Sequence, residues 1–574
     1  MSETDLKTAL SGVENYIKAQ NFYYVDKTLL IRDILTDKGL PNGGRIKLIT
    51  RPRRFGKTLN MDMIKTYFEK TDKDTSVYFQ DKKIWQCSEG IKNRQGKYPV
   101  VFLSLRDADC GNWEGTYNWL VYLISAEFNR HAELAASAKF IANDIDKFSR
   151  IANGTGSYTD YRSSLALLTV MLTKYYEEKP IVIIDEYDIP VQDGVDHGYY
   201  SKVMTFMKGF LSSGLKTNPN FEFAILTGVL QIAGENMFSG LNNFAPYSVL
   251  NENLSEYFGF TPDEVQEMLA YFGHAEKFDE VIEWYDGYNF GNTEIFNPWS
   301  VLKYVENNYK AEPFWVNTAR NNLLRNMLGH VTPDVVAGLA ALARGKTIEV
   351  KIDKNLTYAE LNEGTNVYGM LLYSGYVNSV GMSTDGTKYL IRVPNKEVMT
   401  VFEKEISSRT SVYQSSFDIL WNAIEELDEE QIETAMGKFL NKIMSSRNTA
   451  YEDFYHCFMM CVGEYKSDKY YISPETESGD GFLDVCFEPW DKTRYGYIFE
   501  IKSVRKKGIN LDTCSDKTKA KTLLMLKSEA EAALEQINDN RYETVLVNRG
   551  IKYIAKIGVA FMGKYAKVVI EEAN

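Results

Sequence analysis

The stretch that most restricts the fold is Arg45-Ile46-Lys47-Leu48-Ile49-Thr50-Arg51-Pro52-Arg53-Arg54-Phe55-Gly56-Lys57-Thr58. Residues Ile46 to Ile49 read as a short strand, and Leu59, Met63, Ile64, Tyr67 and Phe68 then recur at helical spacing. Between them lies a basic turn of phosphate size ending in Gly-Lys-Thr. Strand, tight turn and helix N-terminus in that order form a nucleotide phosphate cradle. Helix amides and Lys57 hold the phosphates, and the Thr58 hydroxyl holds magnesium. The usual first glycine is Arg51 here, so the pattern alone leaves open a basic surface turn before an ordinary helix.

A second signal follows Pro180. Ile181-Val-Ile-Ile-Asp185-Glu186-Tyr187-Asp188 describes a fully buried strand whose carboxyl end carries acids. In nucleotide hydrolases with such a cradle, an acid at the place of Asp185 orders magnesium. An acid at the place of Glu186 polarises the attacking water. A third strand, Phe221 to Thr227, ends where such enzymes often place a group that senses the γ-phosphate, here Thr227. With Pro99–Leu105 as a strand and Trp113–His131 as a helix, the alternation predicts a parallel α/β sheet with its ligand at the carboxyl ends of the strands.

At 574 residues the chain exceeds one core and should hold about two to four domains. No long uninterrupted apolar run predicts a membrane span, and the N-terminus lacks the pattern of a signal peptide. Six cysteines without a CxxC pair read as free thiols, which fits a cytoplasmic location. The formal charge of −13 argues against a nucleic-acid coat over the whole surface but leaves room for local basic patches. In the middle, Thr261-Pro-Asp-Glu264 is a helix start with its cap. Trp284, Tyr285, Tyr288 and Phe290 read either as core packing or as a base-stacking platform.

Near the C-terminus the pattern turns to strands. Asp484 lies in one apolar strand and Glu500 and Lys502 in the next, Tyr495 to Ser503. Side chains alternate along a strand, so Ile498, Glu500 and Lys502 share a face, with Phe499 and Ile501 on the other. A hairpin bringing Asp484 beside Glu500 builds a two-carboxylate magnesium site, with Lys502 placed to orient the attacking water or to stabilise a pentavalent phosphate. From 501 to 527 eight Lys or Arg face two acids. That run is either a footprint for the DNA backbone or a solvated loop. His456 reads as a structural histidine.

These stretches together resemble the bacterial AAA-ATPase-like family, which carries a PD-(D/E)XK nuclease domain at its C-terminus. The likeness rests on Arg51–Thr58, Asp185–Asp188 and Phe238-Ser-Gly-Leu-Asn-Asn243. It continues through Tyr257–Phe260, Trp284–Tyr288, Asn297-Pro-Trp-Ser300, Pro394-Asn-Lys-Glu-Val398, Glu477–Asp484 and Phe499–Lys502. It therefore covers nearly the whole chain. Arginine for the first glycine is usual in this family, and Arg51, Arg53 and Arg54 are expected to add positive charge around the phosphates, Arg51 and Arg54 being nucleotide ligands with Gly56, Lys57, Thr58, Asp185 and Thr227. Gln231 departs from the arginine that members tend to have, which puts fast turnover in doubt.

The resemblance implies a P-loop ATPase domain over 1–250, a helical lid over 251–345, an α+β connector over 346–445 and a restriction-endonuclease-like α/β domain over 446–574. It adds Glu477 as an extra acid, Glu452 as a weaker one and Gln536 as a site glutamine. The activity it implies is ATP binding and hydrolysis that controls a Mg²⁺-dependent nuclease acting on DNA. Glu186, Glu477, Asp484, Glu500 and Lys502 would be catalytic, and Thr58, Asp185, Asp484 and Glu500 would be the metal ligands. Self-association is a further expectation. The alternative is a nucleotide-dependent switch or scaffold whose nuclease-like domain binds nucleic acid or a partner without cleaving.

Overall fold

The computed structural model describes residues 7–36, 44–230, 244–315, 333–343, 345–353, 366–443, 452–466, 468–478, 481–504, 511 and 514–573. Contacts divide the chain into two compact units, Met1–Met327 with Glu349–Val401, and Leu328–Ile348 with Phe402–Asn574. The stretch 346–445 contributes to both.

Unit 1 is built on a five-stranded sheet of β1 (Ile46–Thr50), β2 (Val100–Ser104), β3 (Ile181–Asp185), β4 (Ala224–Gly228) and β5 (Phe244–Tyr247) in the order β2-β3-β4-β1-β5. All its pairings are parallel. Every residue of β1, β3 and β4 is buried, as expected of strands covered by helices on both faces. The carboxyl ends of β1 and β3 flank β4, so the Gly-Lys-Thr turn and the acids after Ile184 emerge side by side. The helix Lys57–Phe68 starts at Gly56, whose φ of 80° is left-handed, a conformation that glycine adopts without steric cost.

The following residues pack around that turn. Helix Pro262–Tyr271 opens with the expected capping box, and Lys27 Nζ also binds the capping Glu264 at 2.5 Å. The hairpin of β6 (Tyr288–Phe290) and β7 (Thr293–Ile295) presses on the turn through Phe55, whose ring centroid is 5.0 Å from Tyr288 and 5.2 Å from Phe290. Tyr285, Tyr288 and Phe290 are buried, so this part of the aromatic cluster is core rather than a stacking platform.

Two stretches on which the resemblance rested also meet in unit 1. The Ser300 hydroxyl donates to the Glu397 carboxylate at 2.8 and 3.0 Å, and Trp315 N donates to it at 2.7 Å. The Trp315 indole in turn donates to Arg53 O at 3.1 Å. Glu397 is fully buried, and burial holds its pKa up at about 7 despite those donors.

Unit 2 is built on a second five-stranded sheet. Its strands, numbered onward from β8 (Ile348–Val350), β9 (Asn378–Met382) and β10 (Tyr389–Arg392), are β11 (Tyr470–Ser478), β12 (Gly481–Pro489), β13 (Tyr495–Ser503), β14 (Tyr553–Met562) and β15 (Tyr565–Ala573) in sequential order. Only β13–β14 is parallel. One face packs Val485, Phe499, Ile501 and Phe561 against Trp421, Tyr455 and Phe458. The other packs Leu483 and Ile498 against Ile537 and Leu546. The helix Asp516–Asp539 lies directly on β14 because Gly558 has no side chain. A Cβ there would stand 2.2 Å from Ala530 O and 2.7 Å from Leu534 N.

Candidate nucleotide and carboxylate sites

In unit 1 a cavity of about 390 Å³ opens at the Gly-Lys-Thr turn, within the range of roughly 300–1,000 Å³ usual for small-molecule sites. Arg54, Gly56, Lys57, Thr58, Arg106 and Glu186 line it, together with apolar and aromatic groups including Phe22, Tyr23, Trp299 and Leu302. Phosphate-binding groups and ring-stacking surfaces in one cavity suit a nucleoside triphosphate. A side chain at Gly56 would meet no protein atom within 4 Å, so the loop backbone is open toward a ligand.

Lys57 is buried, and its Nζ donates to Arg51 O at 2.9 Å and Pro52 O at 2.8 Å. Burial lowers its pKa, while Glu186, Asp185 and Asp188 pull it back up. Thr58 Oγ1 donates to Asp185 Oδ2 at 2.7 Å, and Thr227 Oγ1 donates to Asp185 Oδ1. Thr227 is thus the second hydroxyl on Asp185, as buried as the acid itself. Glu186 takes a left-handed backbone with φ 55°, uncommon outside glycine and asparagine. Its pKa is raised by burial first and by the Asp185 charge second, with Lys57 and Arg106 opposing, a combination suited to a proton acceptor. Asp188 Oδ2 accepts from Val229 N at 2.8 Å and Leu230 N at 3.0 Å, tying the acidic turn to the segment after β4.

The arginines depart from expectation. Arg51 does not line the cavity. It is fully buried, its Nη1 donates to Thr50 O and Tyr247 O at 2.8 Å each, and its guanidinium lies over Phe258 and Phe290 at 5.3 and 5.1 Å. Two carbonyls take Nη1 and two ring faces flank the guanidinium, while Nε and Nη2 are buried without hydrogen-bond partners, and burial lowers its pKa. Arg51 is therefore a packing residue, not a phosphate ligand. Arg53 bonds Gln192 at 3.3 Å. Arg54, exposed at the cavity, stacks 4.1 Å over Trp299. Gln231 and the stretch Phe238–Asn243 lie outside the described residues.

In unit 2 the β12–β13 ladder runs through Val485–Phe499, Cys486–Ile498 and Phe487–Tyr497. One step further the Asp484 carboxylate, rather than a backbone carbonyl, accepts from Ile501 N at 2.7 Å. Glu500 stands beside it with its side chain 3% exposed. Burial and then the Asp484 charge push its pKa up to about 7, against the pull of Lys502. Glu500 Oε2 is buried without a hydrogen-bond partner. Lys502 Nζ lies 3.3 Å from Glu500 Oε1 and donates to Gln536 Oε1 at 2.5 Å. Two adjacent carboxylates, one with an oxygen no protein group satisfies, fit a hard divalent cation.

Glu477 sits in β11 opposite Phe482, and Glu452 begins the helix Glu452–Tyr465; both side chains lie outside the described residues. Among the described residues no three His, Cys, Asp or Glu side chains are grouped to hold a metal. His456, read as structural, in fact reaches the site: its Nε2 is 3.3 Å from Asp484 Oδ2. The sequence does not show this contact, because it depends on how the helix of His456 lies across β12. Of the basic run, Lys517, Lys521 and Lys527 are exposed on helix Asp516–Asp539. The four described cysteines, Cys87, Cys110, Cys486 and Cys514, are free thiols, and among the described residues no helix is long and apolar enough to cross a membrane.

Comparison with known proteins divides along the same lines. Residues 11–238 match a family model described as Predicted AAA-ATPase, and residues 450–572 match one described as PD-(D/E)XK nuclease superfamily. A protein of Azotobacter chroococcum mcd 1, described as an uncharacterized protein in the vnfD 5' region, is 23% identical over 402 residues, which is 67% of each chain.

Proposed function

We propose, for a chain that joins an AAA-ATPase-like domain to a PD-(D/E)XK nuclease-superfamily domain, that ATP bound and hydrolysed in unit 1 controls Mg²⁺-dependent cleavage of DNA by unit 2. The observation that carries the reading is the pair Asp484 and Glu500, with Lys502 on Glu500 Oε1 and the buried Glu500 Oε2 left without a partner.

In unit 1 the amides at the start of helix Lys57–Phe68 and the Lys57 ammonium bind the phosphates. Thr58 and Asp185 would hold the accompanying Mg²⁺, which neutralises phosphate charge when bound. Glu186 accepts the proton of the attacking water. In unit 2, Asp484 and Glu500 would hold a divalent cation, which acidifies water and offsets charge on the scissile phosphate when bound. Lys502 orients the water or donates to the phosphorane oxygen, and Gln536 holds that lysine in place. The exposed Lys517, Lys521 and Lys527 bind the DNA backbone without reading bases.

A second reading, a switch or scaffold that does not cleave, draws on the two-carboxylate donor set of the described residues. One experiment separates the two: plasmid with Mg²⁺, with and without ATP, for wild type, Lys502→Ala and Lys57→Ala. Cleavage by wild type and none by Lys502→Ala supports the nuclease, whereas equal inactivity leaves the scaffold. Cleavage by Lys57→Ala that matches wild type at every ATP concentration refutes the control by nucleotide and spares the nuclease.

A further inference from the structure

Arg106 follows β2 at the carboxyl edge of the first sheet. Leu105 N donates to Asp185 O at 2.9 Å, which brings the backbone of Arg106 to the end of β3. Its guanidinium is half-buried and touches three groups, each of which lines the nucleotide cavity. Nη2 donates to Thr58 Oγ1 at 3.0 Å, Nε lies 3.5 Å from Glu186 Oε2, and Nη1 pairs with Glu14. Of the loop arginines, Arg51 turns into the core, whereas Arg53 and Arg54 also line the cavity but meet Gln192 and the Trp299 ring rather than Thr58 or Glu186. One guanidinium therefore bridges the magnesium-side hydroxyl and the acid of the water side.

We propose that Arg106 is an arginine acting in cis on the transferring phosphoryl group, an inference that rests on reading unit 1 as an ATPase. The water oxygen bonds to the γ-phosphorus as the bond from that phosphorus to the β–γ bridging oxygen breaks. The water proton passes to Glu186 and then to solvent, ADP leaves with the bridging oxygen, and phosphate is released. Charge builds on the γ-oxygens during that step, and Arg106, fully protonated throughout, lies where it can neutralise it. Its Nε meanwhile keeps the Glu186 carboxylate turned toward the water. Burial disfavours the cation, but the surrounding acids Glu14, Glu186 and Asp185 outweigh that and hold it charged. Because the arginine comes from the same chain, hydrolysis needs no residue of a second copy.

The test combines turnover with two binding measurements on full-length protein: titration with ADP, and titration with ADP plus tetrafluoroaluminate, which mimics the transferring phosphoryl. For Arg106→Ala, ATP turnover is expected to fall about 100-fold or more, while ADP affinity stays within about threefold. The tightening that tetrafluoroaluminate gives wild type should be lost. Arg106→Lys should stay slow, because an ammonium lacks the planar fork, and free guanidinium at millimolar concentration should partly restore Arg106→Ala. Mixing Arg106→Ala with Lys57→Ala should restore nothing. Turnover by Arg106→Ala equal to wild type, ADP affinity lost in step with turnover, or activity regained on mixing would each overturn the inference. Wild type that binds no ATP would overturn the ATPase reading itself, a different result.

Discussion

Gln536 accepts a hydrogen bond from Lys502 Nζ at 2.5 Å, and the same ammonium lies 3.3 Å from Glu500 Oε1. A neutral amide and a carboxylate thus hold the lysine from two sides. Gln536→Ala is expected to slow single-turnover cleavage about 10- to 100-fold, the usual effect of losing a group that orients a site residue. DNA affinity, measured by anisotropy, should hold. A change of less than twofold in the cleavage rate would remove Gln536 from the site.

Arg51 fills the core beneath the loop. Arg51→Met keeps most of the volume but strands the Thr50 and Tyr247 carbonyls, which costs about 1–3 kcal/mol. The melting temperature of this variant should drop, while its nucleotide affinity, measured on folded protein, should stay near wild type. Lys57→Ala should do the reverse. Nucleotide affinity lost in Arg51→Met at unchanged melting temperature would return Arg51 to the phosphates.

Gly558 pairs with Glu500 across β13 and β14, and the helix that carries Gln536 rests on it. Gly558→Ala puts a carbon 2.2 Å from Ala530 O, a backbone atom that moves only with its helix. Destabilisation of about 1–3 kcal/mol or more is expected, together with a loss of cleavage that Gln536→Ala does not deepen further. Thermal melting followed by circular dichroism, and the double variant, check both parts.

Glu397 gives a pH signature. In the fold its carboxyl titrates near 7, whereas unfolding returns it to about 4.5. Between those values the folded chain holds the extra proton, so this group's contribution to stability falls as pH rises from about 4.5 to about 7. The full effect is roughly 3 kcal/mol. Glu397→Gln removes the titration, so the melting temperature of wild type should decline relative to the variant between pH 5 and 8. Parallel pH profiles would show that the carboxyl titrates normally.

The framework was legible in the sequence where strands are apolar runs, as in β1, β3 and much of β13, with Asp185 at the end of β3, Lys57 at the start of the helix after β1, and Glu500 and Lys502 in the second half of β13. What it hid were side-chain directions. Arg51 looked like phosphate chemistry since only its position in the loop was visible, while the carbonyls and rings that claimed it come from Tyr247, Phe258 and Phe290, some 200 residues on. His456 and Arg106 were missed for the same reason. Each acquires meaning only through an acid delivered by another element, Asp484 for one and Glu186 for the other. Ser300 and Glu397 belong to separate family stretches nearly a hundred residues apart, and packing joins them.

The Asp484 carboxylate is also a backbone tie. It takes the Ile501 amide just beyond the last β12–β13 pair, Val485 with Phe499, so a side chain rather than a backbone carbonyl ties the two strands where the acids sit. A descendant of this chain that lost the carboxylate would lose that tie along with an acid, so the change would reach the backbone of β13 and not only the charge of the pair.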